Sequence, residues 1–206
     1  MPDLLRDGPE ESRHYLLLAH GAGAPMDTAF MNAIAHTVAE AGISVVRFEF
    51  EYMAKRREDQ KRRGPDRAPK LIERYQEVLE HLGDPRRAII GGKSMGGRIA
   101  SMIADDAGVA GLVCLGYPFH PPGKPERLRT AHLEALRTPT LIAQGTRDPF
   151  GTPEEVASYT LSPSIEVVWI EDGDHSFKPR KKSGRTNEQN LATAAEAIIA
   201  FTKDLD

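Results

Sequence analysis

The sequence predicts an α/β fold: a mostly parallel sheet of about six to seven strands, with helices on both faces. Three observations carry this. Apolar runs of strand length recur, each is followed by a turn, and helical periodicity resumes after the turn. The runs are YLLLAH (15–20), SVVRFEF (44–50), AIIGG (88–92), AGLVCLG (110–116), PTLIAQG (139–145) and IEVVWI (165–170). They are rich in Val, Ile and Leu and mostly lack strict alternation, as suits strands covered on both sides.

The intervening segments have readable ends. After the first run, Asp27 is the expected cap of a helix whose apolar stripe is Phe30, Met31, Ile34 and Val38, stopped by Gly42. Pro69 opens the next, with Leu71, Ile72, Tyr75, Val78, Leu79 and Leu82 on one side. Thr152, Pro153 and Glu155 form a capping-box pattern, and TNEQ (186–189) repeats it before a stripe of Leu191, Ile198 and Ile199. Two stretches break the pattern and read as loops. KRREDQKRRGPDRAPK (55–70) carries eight basic and three acidic residues, and KPRKKSGR (178–185) carries five basic and no acidic ones.

At 206 residues the chain fits one domain, 1–206, with no internal repeat or linker. Its 40% hydrophobic and 28% charged residues exclude disordered and fibrous classes. A net charge of −3 supplies no global field toward nucleic acid or anionic lipid. No apolar run approaches the roughly 20 residues of a membrane span. The first residues, MPDLLRDGPEESRHY, lack a basic start and an apolar core, so no secretory leader is expected. Cys114, the single cysteine, lies in an apolar run and reads as a buried packing residue. A reducing, cytoplasmic setting is the expectation.

The chemistry concentrates in AIIGGKSMGGR (88–98). A phosphate-cradling loop would need a glycine five positions before Gly92, and Arg87 stands there, so that reading fails on spacing. HGAG (20–23) begins like a dinucleotide fingerprint, but its third glycine position is Met26. The pattern Gly92-Lys93-Ser94-Met95-Gly96 between a strand and a helix instead fits a nucleophile elbow. Small residues are needed there because the serine is held in a strained conformation that projects its oxygen from the sheet. The helix that follows points free amides at that oxygen.

A serine hydroxyl is a poor nucleophile near neutral pH and needs a base and an orienting carboxylate. In catalytic sheets of this type the order along the chain is Ser, acid, His, each at the carboxyl end of a strand. TRDPFG (146–151) offers Asp148 and EDGDHSF (171–177) offers His175, the only histidine after Asp148. Asp172 and Asp174 are alternative acids but belong to the histidine's own loop; the order rule favours Asp148. An oxyanion hole would take the amide of Met95 and one from the loop HGAGAP, with Ala22 first and Gly23 close behind. His20 reads as a structural loop residue rather than a second base.

Together HGAGAPMDTAFM, GGKSMGGR, LVCLGYPFHPPGKPERLR, IAQGTRDPFGT and DGDHSFKPRKKSG resemble the small α/β-hydrolase-fold family related to dienelactone hydrolase, with eukaryotic testis-expressed and NSL-complex hydrolase-like relatives. The resemblance covers nearly the whole chain. It implies an α/β-hydrolase core with no cap domain and Ser94, Asp148 and His175 as triad. Dienelactone hydrolase itself has a cysteine nucleophile where this chain has serine. Some relatives in the family are non-catalytic subunits of larger complexes.

Residues 116–138, where a cap would be inserted, hold a Pro-rich loop and one short helix ending near Leu136. An open, shallow site is expected, which argues against a lipase working at a membrane interface. Tyr117, Phe119 and His120 follow a strand end and are candidate pocket residues, unless the neighbouring prolines merely stiffen a surface loop. The two basic loops are expected on the same rim, where they could gather an anionic ligand or simply form a solvated surface. Without interleaved aromatics, single-stranded nucleic acid is disfavoured. No metal is expected, since neither His-x-x-x-His nor paired-Cys spacing occurs, and no cofactor is called for. The expected function is hydrolysis of small soluble esters, with thioesters or amides as variants. The alternative is a non-catalytic binding or scaffold module that holds an acidic partner on its basic rim.

Overall fold

The computed structural model describes residues 3–205. All its strands join one seven-stranded sheet in the spatial order β1 (Leu4–Asp7), β3 (Ser44–Phe48), β2 (Tyr15–Ala19), β4 (Ala88–Lys93), β5 (Gly111–Leu115), β6 (Thr140–Gly145) and β7 (Ile165–Ile170). Every neighbouring pair is parallel except β1 with β3, where Leu4 faces Phe48 and Asp7 faces Val45. The sequence reading has no counterpart to β1. Its four residues are too few for a periodic signal, and an ion pair from Arg47 to Asp7 at 2.8 Å ties the strand to its neighbour.

Strand alternation sorts the core into two layers. Leu16 and Leu18 face α1 (Ala29–Glu40) and α7 (Asn187–Asp204), where Met31, Ile34, Val38, Leu191 and Ile198 are buried. Leu17 and Ala19 face the opposite layer of α2 (Glu51–Asp59), α3 (Ala68–Leu82) and α4 (Met95–Ser101), with Tyr52, Leu71, Tyr75 and Ile99. Two short helices, α5 (Ala104–Ala107) and α6 (Pro153–Val156), complete the helical set among the described residues. Both capping boxes form, at Thr152/Glu155 and Thr186/Gln189. Cys114 is buried, and burial pushes its thiol pKa up.

Tyr75 does more than pack. Its fully buried hydroxyl accepts from Gly91 N at 2.8 Å and lies 2.8 Å from Leu17 O and 2.7 Å from Gly91 O. It supplies the polar partner that the strand interior needs at Gly91.

Three expectations change. The cap of α1 is Thr28, whose Oγ1 accepts from Met31 N, and Asp27 instead pairs with Arg57. The first basic stretch is not all loop: its first five residues are the end of α2. That helix has Glu51 in its first turn and Arg56 and Arg57 in its last, each favourable to the helix dipole, and it buries only Tyr52 and Met53. Such a narrow apolar face is hidden in a charge run. The helix expected to end near Leu136 is a single 3₁₀ turn, Ala131–Leu133. Asp105 captures the amides of Arg137 at 3.1 Å and Thr138 at 2.8 Å, fixing the approach to β6. No cap domain is inserted between β5 and β6.

Candidate active site

The chain leaves β2 for β3 on one side and continues to β4 on the other. The carboxyl ends of β2 and β4 therefore bound the crevice where ligands bind in sheets of this kind. Ala19 and Gly92 are partners at that edge.

Ser94 stands between β4 and α4 with φ 51° and ψ −111°, a region costly for a residue with a side chain. Its amide donates to Leu115 O at 2.9 Å, and its carbonyl accepts from Arg98 N at 3.0 Å, which starts the helix. A Cβ at Gly92 would collide with Ala19 O, and one at Gly96 would come within 2.7 Å of His20 O. The turn is passable only because both positions are glycine.

Three residues from three strand ends meet here. His175 Nε2 lies 2.9 Å from Ser94 Oγ, and its Nδ1 lies 2.8 Å from Asp148 Oδ2. Asp148 is fully buried, accepting also from Gln144 Nε2 at 3.0 Å and Phe150 N at 2.9 Å. These bonds leave its carboxylate a single orientation. The alternative acids are occupied in shaping the histidine loop. Asp174 Oδ1 accepts from Ser176 N and Lys178 N, while Asp172 accepts from Arg180 N and pairs with the Arg180 guanidinium. Arg180 holds the Asp172 carboxyl down to about 2.

The loop after β2 is clamped by its carbonyls. Tyr52 Oη donates to Ala22 O at 2.9 Å, and Arg56 Nη1 to Gly23 O at 3.2 Å. His20 is buried with both ring nitrogens used: Nδ1 donates to Gly21 O at 2.7 Å and Nε2 accepts from Phe50 N at 3.1 Å. Burial pushes its pKa below the ordinary 6.5. With carbonyls turned to Tyr52 and Arg56, the loop lines the cavity that holds Ser94 and His175. Met95 opens α4, so its amide has no intrahelical acceptor.

That cavity has a volume of about 450 Å³, and Phe30, Met31, Pro25 and Phe150 give it apolar walls. The Phe150 ring lies 4.2 Å from the His175 ring, at 32°. Lys93 closes one side, donating to His175 O at 2.6 Å with its ammonium 5.5 Å from the Phe30 ring centre. Burial pushes its pKa down to about 8, against the opposing pull of Asp148 and Asp174. The sequence reading places Phe30 and Met31 on the apolar stripe of α1, where they do pack, but carries no sign that they also reach the cavity. The available signal for Phe150 is its position two residues after Asp148.

Of the pocket candidates, Gly23 lines the cavity, but Tyr117, Phe119 and His120 do not. All three are buried elsewhere. Tyr117 and Phe119 stack on each other at 4.9 Å, Phe119 meets Tyr159 at 5.7 Å, and His120 lies 3.4 Å from Glu155. The loop turns its rings under itself because no cap domain covers that edge of the core.

The basic segments are neutralised only in part, five of their thirteen basic residues having a carboxylate partner among the described residues. Arg57 pairs with Asp27 and Glu49, Arg63 with Asp59, Lys70 with Glu51 and Asp66, and Arg180 with Asp172. A second cleft of about 530 Å³ shares Ala22 and Gly23 with the first cavity and is bounded by Arg56, Arg62 and Arg63. No group of three or more His, Cys, Asp or Glu among the described residues is arranged to hold a metal. No helix among them is long and apolar enough to cross a membrane.

Residues 12–203 match the family model of the alpha/beta hydrolase domain. The chain belongs to the α/β-hydrolase family. An alpha-beta serine hydrolase homologue from Coxiella burnetii shares 20% identity, over 96% of this chain and 89% of that one, with a TM-score of 0.71. The ferulic acid-bound Est1E of Butyrivibrio proteoclasticus shares 14% over 98% and 94%, with a TM-score of 0.73. An α/β serine hydrolase without lid from Xanthomonas campestris shares 19% over 95% and 88%, with a TM-score of 0.65. At such identities the likeness is one of fold, and this α/β-hydrolase joins esterase-like neighbours on that basis.

Proposed function

We propose that this α/β-hydrolase is a serine hydrolase that cleaves carboxylic esters of small molecules through an acyl-enzyme. The observation that carries the reading is the unbroken relay from Ser94 Oγ through the His175 ring to Asp148, at 2.9 and 2.8 Å, on the wall of a cavity. His175 takes the proton of Ser94 as its oxygen attacks the carbonyl carbon, then gives it to the departing alcohol. Asp148 holds the imidazole with Nδ1 protonated and balances the imidazolium. The amides of Met95 and Ala22 receive the oxyanion. Water, losing a proton to His175, then releases the acid and regenerates Ser94.

The apolar walls favour an apolar acyl or alcohol group, and the Phe30 and Phe150 rings favour a flat one. The ferulic acid bound to the Butyrivibrio neighbour makes aromatic acyl esters a reasonable arm of a substrate panel, beside short aliphatic esters and thioesters. Esters with an anionic group belong there too, since Arg56, Arg62 and Arg63 bound the adjoining cleft. A fluorophosphonate probe tests the reading: labelling of the wild type and none of Ser94→Ala is expected. No labelling of a correctly folded wild type would overturn it.

A further inference from the structure

We propose that Arg98 and Arg129 form a binding site for a small organic phosphate monoester, separate from the Ser94 cavity. Neither arginine lines that cavity. Arg98 lies on α4 one turn beyond Ser94, and Arg129 on the loop between β5 and β6.

A chain of hydrogen bonds joins the two backbones. Ser101 Oγ donates to Arg98 O at 2.8 Å and lies 2.8 Å from His132 Nε2. The Tyr117 hydroxyl donates to Arg129 O at 2.9 Å and stands 3.5 Å from that same nitrogen. Ser101 Oγ, the Tyr117 hydroxyl and His132 Nε2 therefore form one polar cluster between the two carbonyls. The backbones of Arg98 and Arg129 are thus tied together through polar side chains that satisfy one another.

Their guanidiniums are not so tied. Among the described residues neither has a carboxylate within ion-pair distance, a state shared with arginines such as Arg56 and Arg62 but not with Arg47, Arg57, Arg63, Arg74, Arg137, Arg147 and Arg180. Arg98 Nε is buried with no hydrogen-bond partner. Burial, and then the charge of Arg98, lower the pKa of Arg129. Two half-buried cationic forks with no internal anion suit a tetrahedral dianion, whose oxygens can accept from both. The flanks indicate an apolar arm on the ligand. Met102, one turn beyond Arg98, and Leu128, beside Arg129, are the two large hydrophobic side chains exposed among the described residues.

The test is calorimetric titration of the full chain with phenyl phosphate, inorganic phosphate and phenol at fixed ionic strength. Saturable binding of both phosphates is expected, with phenyl phosphate at least about threefold tighter and phenol silent. Arg98→Met and Arg129→Met should each weaken phenyl phosphate by about tenfold or more, and Ser94→Ala should leave it unchanged. Arg129→Lys, which keeps the charge and stem but loses the fork, should weaken it too and serves if a Met variant does not fold. No phosphate binding by the wild type, or binding that survives loss of both arginines, would overturn the proposal. Equal affinity for the two phosphates would remove the apolar arm, and loss of binding in Ser94→Ala would move the ligand to the Ser94 cavity.

Discussion

Two loops leave the same edge of the sheet and meet opposite fates. The loop after β2 carries glycines and small residues, and it lines the Ser94 cavity. The loop after β5 carries Tyr117, Phe119 and His120, and it buries all three beneath itself. The first gives the cavity backbone and holds its place because Tyr52 and Arg56 grip its carbonyls. The second closes the core and reaches the cavity with none of its rings. A ring placed just past a strand end thus reports apolar area to be hidden, whereas a glycine-rich turn at the switch point reports space kept clear for another molecule.

The largest effect expected is on the shared reference point. Ser94→Ala should lower ester turnover by about 10⁴-fold or more while the thermal midpoint stays near that of the wild type. Substantial residual turnover would detach the relay from the reaction and leave the comparison without a site. Phe119→Ala should cost about 3–5 kcal/mol of stability, from the cavity it opens in a fully buried ring cluster. That lowers the thermal midpoint by roughly 10 °C, with kcat/KM of the folded protein close to wild type. A raised KM at unchanged stability would instead put the second loop into the site.

Tyr52→Phe sharpens the contrast from the other side. Loss of its bond to Ala22 O should cost only about 1 kcal/mol of stability, yet kcat should fall about tenfold with KM within about twofold. That split would carry the proposed role of the Ala22 amide in the transition state, and equal losses in stability and kcat would remove it. The smallest effect concerns His20. Its folded pKa lies below the ordinary 6.5, so as pH falls the unfolded chain takes up the proton first. Its contribution to stability is full above about pH 6.5 and is lost as pH falls through that value toward the folded pKa, by less than about 1 kcal/mol at pH 6. The pKa of His132 is lowered by burial and by Arg98, so it contributes with the same sign. Denaturant midpoints against pH should flatten partly in His20→Asn.

Much of the fold was legible because its signals are local. The six apolar runs became β2 to β7, and both capping boxes formed, since a cap needs only residues three apart. β1 and α2 were not legible. One gains its stability from pairing with β3 and the Arg47–Asp7 bridge, the other from a two-residue apolar face and charge pairs to Glu49 and Asp27. Except for Glu49, just ahead of α2, those partners are distant in the chain. The candidate site divides the same way. Ser94, Asp148 and His175 could be named from strand ends and order, but the roles of Lys93, Phe30, Phe150 and Tyr52 could not, because their neighbours come from other loops.

The sequence alone therefore determined which residues must bend, cap and hide. These are properties of short windows, governed by backbone sterics and hydrophobic period. Only the tertiary structure decided which rings face the cavity, which arginines are left without a carboxylate, and which carbonyls are held back from the site. Each of these depends on the geometry between segments tens of residues apart, and that geometry is fixed only when the sheet brings the strand ends together.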